Sequence, residues 1–469
     1  MSTVREAHVY IELGDEAPAF AGVLKSSNSA GRNLASASFQ YDSVYCANPH
    51  AYPISPELPL VSARTFTPEN RTIFGAFADA SPDTWGKKLI EAAHELKRGN
   101  ESGLQRNLAD LDYLLHVSDF ARMGALRFKE PSGDKWLTSG AEAASINDLE
   151  RVVAVARRYE DRNTRDEDLA YLSDIAVGPG GARPKANVIM ESGSLAIAKL
   201  PHSRDGNIDV ESWEALALTL AENIGIRTPR FEHRRAGIEK SVLVVQRFDR
   251  VGEHARLGYM SAATAMQLGP LREGRATYQD FADTISELSS KPADDLHEMF
   301  TRVALTVLIN NVDDHWRNHG FLHDRSGWRL SPVFDVNPST ARSLSSRAIN
   351  AEDDPRNRDI RNLASVAGNF NLTSEQAAAT IRNVAVHVEA WPTIATSLGI
   401  PVDQQLTVSR AFDPNQLSAA REFSPSPPPL VVLLAPSVKS GPTGTVWVPP
   451  HLRGGAQVAG HWRAARRSS

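Results

Sequence analysis

The stretch INNVDDHWRNHGFL, residues 309–322, sets two aspartates, two histidines, an arginine and three asparagines between an apolar helical run (DLHEMFTRVALTVL) and a strand-like run (GFLHD). Buried polar groups need hydrogen-bond partners, and buried charges need counter-charges. A chain that concentrates them between two buried elements must fold so that other parts of the sequence meet them. The stretch can serve as a metal cluster, a catalytic loop or a plain polar turn, and each requires different company.

A thiolate-rich metal cage is excluded because Cys46 is the only cysteine, and the same count excludes internal disulfides. His315 and His319 stand four apart, the spacing of a zinc or iron pair on a helix. Arg317 lies between them, however, and the surroundings read as loop. Asp313 and Asn318 stand five apart, D-x-x-x-x-N. Protein kinases use that spacing: the aspartate orients the acceptor hydroxyl and takes its proton, and the asparagine offers a neutral oxygen to Mg²⁺. Mg²⁺ takes hard oxygen ligands, one or two carboxylates among them, so a further carboxylate should follow. Asp335, in PVFDVNPS, arrives 17 residues after Asn318, beyond an expected hairpin. Asp314, Arg317 and His319 read as turn or scaffold residues, and His315 as a residue that orients the loop.

The polar outliers upstream come in a matching order. The loop AVGPGGARPK carries Gly178, Gly180 and Gly181, which let backbone N–H groups approach phosphate because no Cβ intervenes. Ala182, Arg183 and Lys185 complete it and add positive charge. Taken alone, this is a glycine-rich turn. Lys199 interrupts the apolar strand SLAIAKLP and so needs an anion or a route to solvent. It reads either as an exposed lysine on an edge strand or as a phosphate-gripping lysine held by a helix glutamate, Glu211 or Glu214. SVLVVQRFDR then leads an apolar strand into a polar segment, where Gln246 and Phe248 are placed to face a nucleotide base.

The rest of the chain is that of an ordinary globular protein. Its 469 residues suffice for two or three domains, and 51 basic against 56 acidic residues leave a net charge of only −5. That balance argues against a nucleic-acid or membrane-surface protein. MSTVREAHVYIELGDE has no apolar signal core, and no run approaches a membrane span, so a cytoplasmic location is expected. Residues 8–13, 17–25 and 39–46 read as strands, followed by a proline-rich loop at 48–60 and a helical stretch in which Pro82 opens a new helix. Beyond residue 170, ANVIM and LAIAKLP are strands joined by ESGS, and VESWEALALTLAENIGI is a helix ending at Gly225. After about residue 260 the strand signal fades and helices take over, broken by a hairpin over GFLHD and WRLSPVFDV. Residues 374–391 read as a helix capped by Ser374, and 423–469, dominated by proline, glycine and serine, are expected to be disordered.

Together GGARPKA (180–186), IAKLP (197–201), VVQRFDR (244–250), NNVDDHWRNHGFL (310–322) and LSPVFDVNPS (330–339) resemble the HipA-type serine/threonine kinases, toxins of bacterial type II toxin–antitoxin systems. GVLKSS, FQYDSVY, PISPELPL and FADASPDTWGKKLI are similar to the family's N-terminal subdomain, and the resemblance extends from about residue 8 to about 415. It implies an α+β fold with a two-lobed protein-kinase-like core over 151–422, a mostly helical C-lobe and an added N-terminal α/β subdomain over 1–150. It also implies ATP and Mg²⁺ as cofactors. Asp313 then matches the catalytic aspartate with His315 beside it, and Asn318 and Asp335 match the metal ligands. Gly180, Gly181, Ala182, Arg183, Lys185, Lys199, Gln246 and Phe248 match the ATP-binding residues. Some members are silenced by autophosphorylation of a loop serine, a position held here by Gly178, with Ser173 the nearest serine. Family substrates include aminoacyl-tRNA synthetases, and the usual partner is a small helix-turn-helix antitoxin through which alone DNA would be contacted. Two other classes stay open: a catalytically silent binding module, and a small-molecule kinase of the antibiotic-phosphotransferase type.

Overall fold

The first strand shows why the chain begins as a sheet. Ala7, Val9 and Ile11 are buried while His8 and Tyr10 between them are half-exposed, the two-residue alternation of a strand with one covered face. The computed structural model describes residues 3–14, 17–28, 35–68, 71–100, 107–138, 143–178, 181–235, 240–252, 255–341, 346–424 and four short strands between 445 and 464. Strands β1 (Thr3–Ile11), β2 (Ala19–Asn28), β3 (Ala35–Tyr41), β4 (Thr65–Phe66) and β5 (Leu126–Lys129) form an antiparallel sheet in the order β4-β3-β2-β1-β5. The strand expected over 39–46 breaks at Asp42, whose carboxylate accepts from Val44 N at 2.8 Å and starts a short helix, Ser43–Ala47.

A second sheet follows, built from β6 (Ala144–Ser145), β7 (Lys185–Ile189), β8 (Leu195–Lys199), β9 (Phe231–Arg235) and β10 (Ser241–Gln246), in the order β6-β7-β8-β10-β9. The ESGS turn joins β7 to β8 with Gly193 left-handed at φ 82°, as the sequence implies. The helix Val210–Ile224 packs on β9 and β10 and ends at Gly225, also left-handed (φ 93°).

Beyond the short pair β11 (Arg250–Val251) and β12 (Ala255–Arg256), helices dominate, among them Tyr278–Leu288, Pro292–Leu308 and Ser374–Val388. The strand signal does not vanish there. β13 (Gly258–Ser261) pairs with β14 (Gly320–Asp324), the first arm of the hairpin completed by β15 (Gly327–Leu330). The helix at 374 is capped by Thr373 rather than Ser374, in a reciprocal box with Gln376. The molecule is thus α+β and two-lobed, with a sheet-rich lobe, a mostly helical lobe and an added N-terminal sheet.

The N-terminal sheet and the helical lobe share one hydrophobic cluster. A second cluster joins Trp85, Leu89 and Ile90 of the N-terminal region to β7, β8 and β10 and to the helices Leu149–Glu160 and Asp166–Ile175. Within the segment expected to be disordered, β16 (Thr445–Val448) pairs with β19 (His461–Ala464), and β17 (His451–Arg453) with β18 (Ala456–Val458). Residues 425–444 of that segment lie outside the described residues. No helix among the described residues is long and apolar enough to cross a membrane.

Candidate active site

The polar stretch after the helix Pro292–Leu308 is fixed from several directions. Asn310 turns the chain with φ at 49°. Arg358 donates to Asn311 O at 2.6 Å, Ser346 Oγ to Val312 O at 3.1 Å, and Trp316 Nε1 to Glu273 O at 3.2 Å. Asp314 and His319 are both buried, with Oδ1 and Nε2 2.9 Å apart. Burial lifts the Asp314 carboxyl, but His319 beside it more than offsets that lift and holds it below the usual range. These two residues are scaffolding, and the His315/His319 pair is split: His319 turns inward, whereas His315 lines a cavity. Asn318 Nδ2 donates to Asp313 O at 2.9 Å, closing the turn between the two and leaving Oδ1 as an acceptor. Asp313 itself is exposed.

That cavity, about 510 Å³, lies between the N-terminal region, the second sheet and the helical lobe. A volume of this size suits a cofactor-sized ligand. Lys199 reaches it from the end of β8, 2.5 Å from Glu214 Oε1 and in contact with Asp335. Burial pushes the Lys199 ammonium down, but the two carboxylates outweigh it and hold the group above its ordinary value. Asp335 is lifted by burial and pulled lower still by Lys199, so it stays ionised, while burial leaves Glu214 raised. Asp335 is left-handed at φ 54°, a conformation that non-glycine residues rarely adopt and that clusters at functional sites. On the opposite wall, the Phe248 ring lies 5.4 Å from Phe334 and 6.4 Å from Tyr259.

Of the residues singled out from sequence, Gly181, Lys185, Lys199, Gln246, Phe248, His315, Asn318 and Asp335 all line this cavity. Arg183 does not. Its guanidinium forks onto Asp205 at 2.6 and 2.7 Å and reaches Glu211 at 2.6 Å, so two carboxylates already hold it. Burial lifts Glu211 to about 7 despite Arg183, whose fork is already engaged by Asp205. Of the two candidate glutamates, Glu214 therefore holds Lys199 and Glu211 holds Arg183. Ala182 is exposed and outside the lining, and Gly180 lies outside the described residues.

Sequence reasoning missed Asp83, Tyr259 and Phe334, which also line the cavity. Phe334 could have been suspected from its place before Asp335; nothing local marks the other two. Asp83 Oδ2 stands 2.5 Å from Lys185 Nζ across 102 residues of sequence. Burial pushes that lysine down and that carboxyl up, each opposed by the other.

The donor set fits a hard cation and a nucleotide. Asn318 and Asp335 bring hard oxygen donors to the lining. Lys199 and Lys185 supply positive charge beside apolar walls from Ile197, Leu218 and Val245.

Comparison with known proteins bears on the family and the fold. Residues 19–128 match the HipA N-terminal domain, and residues 177–391 match the HipA-like C-terminal domain. The curated protein "Putative kinase Y4mE" of Sinorhizobium fredii (strain NBRC 101917 / NGR234) is 25% identical over 191 residues, covering 36% of this chain. The chain aligns with 44% of that relative's length, less than half of it. Among solved structures, a chain of the Shewanella oneidensis MR-1 toxin–antitoxin complex of HipA, HipB and operator DNA superposes with a TM-score of 0.60 at 19% identity, covering 88% of this chain and 96% of that one. That likeness concerns the fold. With an N-terminal and a C-terminal domain match in the family's own order around one cavity, the chain belongs to the HipA-like family.

Proposed function

We propose that the chain is an ATP- and Mg²⁺-dependent serine/threonine protein kinase that acts as the toxin of a toxin–antitoxin pair. The observation that carries this reading is Lys199, held by Glu214 and Asp335 in the same cavity that His315 and Asn318 line. In this reading Gln246 and Phe248 face the adenine, and Lys199, kept charged by its two carboxylates, grips phosphate oxygens. Lys185 adds charge from the glycine loop. Asn318 and Asp335 hold Mg²⁺, which when bound neutralises charge on the transferred phosphoryl group. Asp313, exposed at the loop, orients the acceptor hydroxyl and takes its proton, with the loop geometry fixed by Asn318 Nδ2 on its carbonyl. Most of the rate then comes from positioning and charge neutralisation.

The substrate in this proposal is a translation protein of the aminoacyl-tRNA synthetase type. The neutralising partner is a helix-turn-helix antitoxin through which DNA is reached, and the chain works in the cytoplasm. Residues 1–150, 151–422 and 423–469 would act as N-terminal subdomain, kinase core and tail.

Labelled ATP added to purified protein and whole lysate tests the reading. Label should enter protein with the wild type and fall by about 10²-fold or more with Asp313→Asn, while ATP binding persists. Label confined to small molecules would identify a small-molecule kinase instead. Growth arrest that survives both Asp313→Asn and Asp335→Ala would identify a silent binding module.

A further inference from the structure

The first turn of the helix Thr84–Asn100 belongs in sequence to the N-terminal region, yet it is stitched to both ends of the glycine loop. Asp83 N donates to Gly178 O at 3.3 Å, Trp85 N to Gly181 O at 3.5 Å, and Trp85 Nε1 to Lys185 O at 3.2 Å. Trp85 is buried and anchors the turn in the second hydrophobic cluster. Gly86 suits the tight turn itself: a Cβ there would lie 3.0 Å from Pro82 Cβ and 3.3 Å from Asp83 Oδ1, while Val177 Cα at 3.5 Å would be an ordinary contact. Asp83 uses one carboxylate oxygen to cap the helix, accepting from Gly86 N at 2.6 Å, and the other to hold Lys185 Nζ at 2.5 Å. Lys185 Nζ also reaches Gly181 O at 3.0 Å. The side chains of the pair are only 7% and 6% exposed, and both residues line the cavity.

We propose that Asp83 competes with the nucleotide's phosphate groups for Lys185, so that the first turn of this helix sets how tightly the cavity holds nucleotide. The inference rests on the nucleotide-binding reading above. A phosphate that takes Lys185 strands a buried carboxylate beside it, and that carboxylate repels the phosphate in turn. Binding therefore displaces the turn that carries Asp83. By linkage, an effector that favours the displaced turn raises nucleotide affinity by the same factor by which nucleotide raises that effector's affinity.

Asp83→Asn removes the charge and keeps an oxygen for the cap, since asparagine caps as well as aspartate. Titration calorimetry of the full chain with ATP in the absence of Mg²⁺ should show Asp83→Asn binding about tenfold tighter than wild type. The gain should vanish in a Lys185→Met background. Equal or weaker binding by Asp83→Asn, or the same gain without Lys185, overturns the inference. A second readout needs no variant: ADP should speed amide exchange of residues 84–88 in the wild type. Unchanged or slower exchange there also overturns it. A wild type that binds neither nucleotide brings down the nucleotide reading together with this inference, whereas a wild type that binds while Asp83→Asn gives no gain brings down this inference alone.

Discussion

Acid should loosen the seam between the N-terminal region and the hairpin at one imidazole. His323 on β14 stacks on Tyr52 with ring centroids 3.7 Å apart and planes at 15°, and the edge of Trp328 closes the other side at 5.0 Å. Burial pushes the imidazole from 6.5 down to about 4, against a weaker pull from Asp324. The folded value lies below the unfolded one, so the unfolded chain takes the proton first. The contribution to stability is intact above pH 6.5 and is lost as pH falls toward 4. At about 1.36 kcal/mol per pH unit the whole gap is worth ~3 kcal/mol, of which ~2 kcal/mol disappears between pH 7.5 and pH 5.0. Urea unfolding at those two pH values, followed by tryptophan fluorescence, measures it in wild type and in His323→Phe, which keeps the stack and removes the titration. Other groups titrate in both proteins, among them His116 and His233, so the difference isolates His323. Wild type should lose ~2 kcal/mol more than the variant on acidification. Equal losses would refute the reasoning.

The remaining predictions concern the site and its support. Lys199→Met leaves Glu214 and Asp335 buried without their cation and should cost ~3–5 kcal/mol in denaturant unfolding, part of which Glu214→Gln should restore in the double variant. Trp316 is fully buried against Tyr278 and Phe281, so Trp316→Ala should cost ~3–5 kcal/mol and should impair phosphoryl transfer by freeing the loop that carries Asp313.

What could be read from the sequence follows the range of each signal. Asp313 and Asn318 belong to one turn, and Asp335 follows beyond one hairpin, so local spacing sufficed to propose them. Lys199 and Glu214 sit on consecutive elements, and an apolar strand ending in lysine already asked for a carboxylate. The choice between Glu211 and Glu214 depended on which way one helix faces, and so did the partners of Arg183. Its charge beside the glycines was visible, but its capture by Asp205 and Glu211 was not. One helix cap was displaced by a single residue, from Ser374 to Thr373, because adjacent hydroxyls can each start the turn. Asp83 was out of reach altogether, since its partner comes through the packing of Trp85 in another region's core. Likewise Arg247, buried beside Asp249, donates to Ala121 O at 2.7 Å and Arg122 O at 3.0 Å, a clasp between segments that show no pattern in common.

Asp335 stands where few side chains leave the backbone at ease. Glycine, asparagine and aspartate enter the left-handed region at little cost, and β-branched residues do not. In the genetic code, asparagine and glycine each lie one base from aspartate. Two of the single-base changes at this codon therefore delete the carboxylate and keep the fold of the loop. A gene for this chain can lose that carboxylate in one step and still encode a loop whose backbone is at ease.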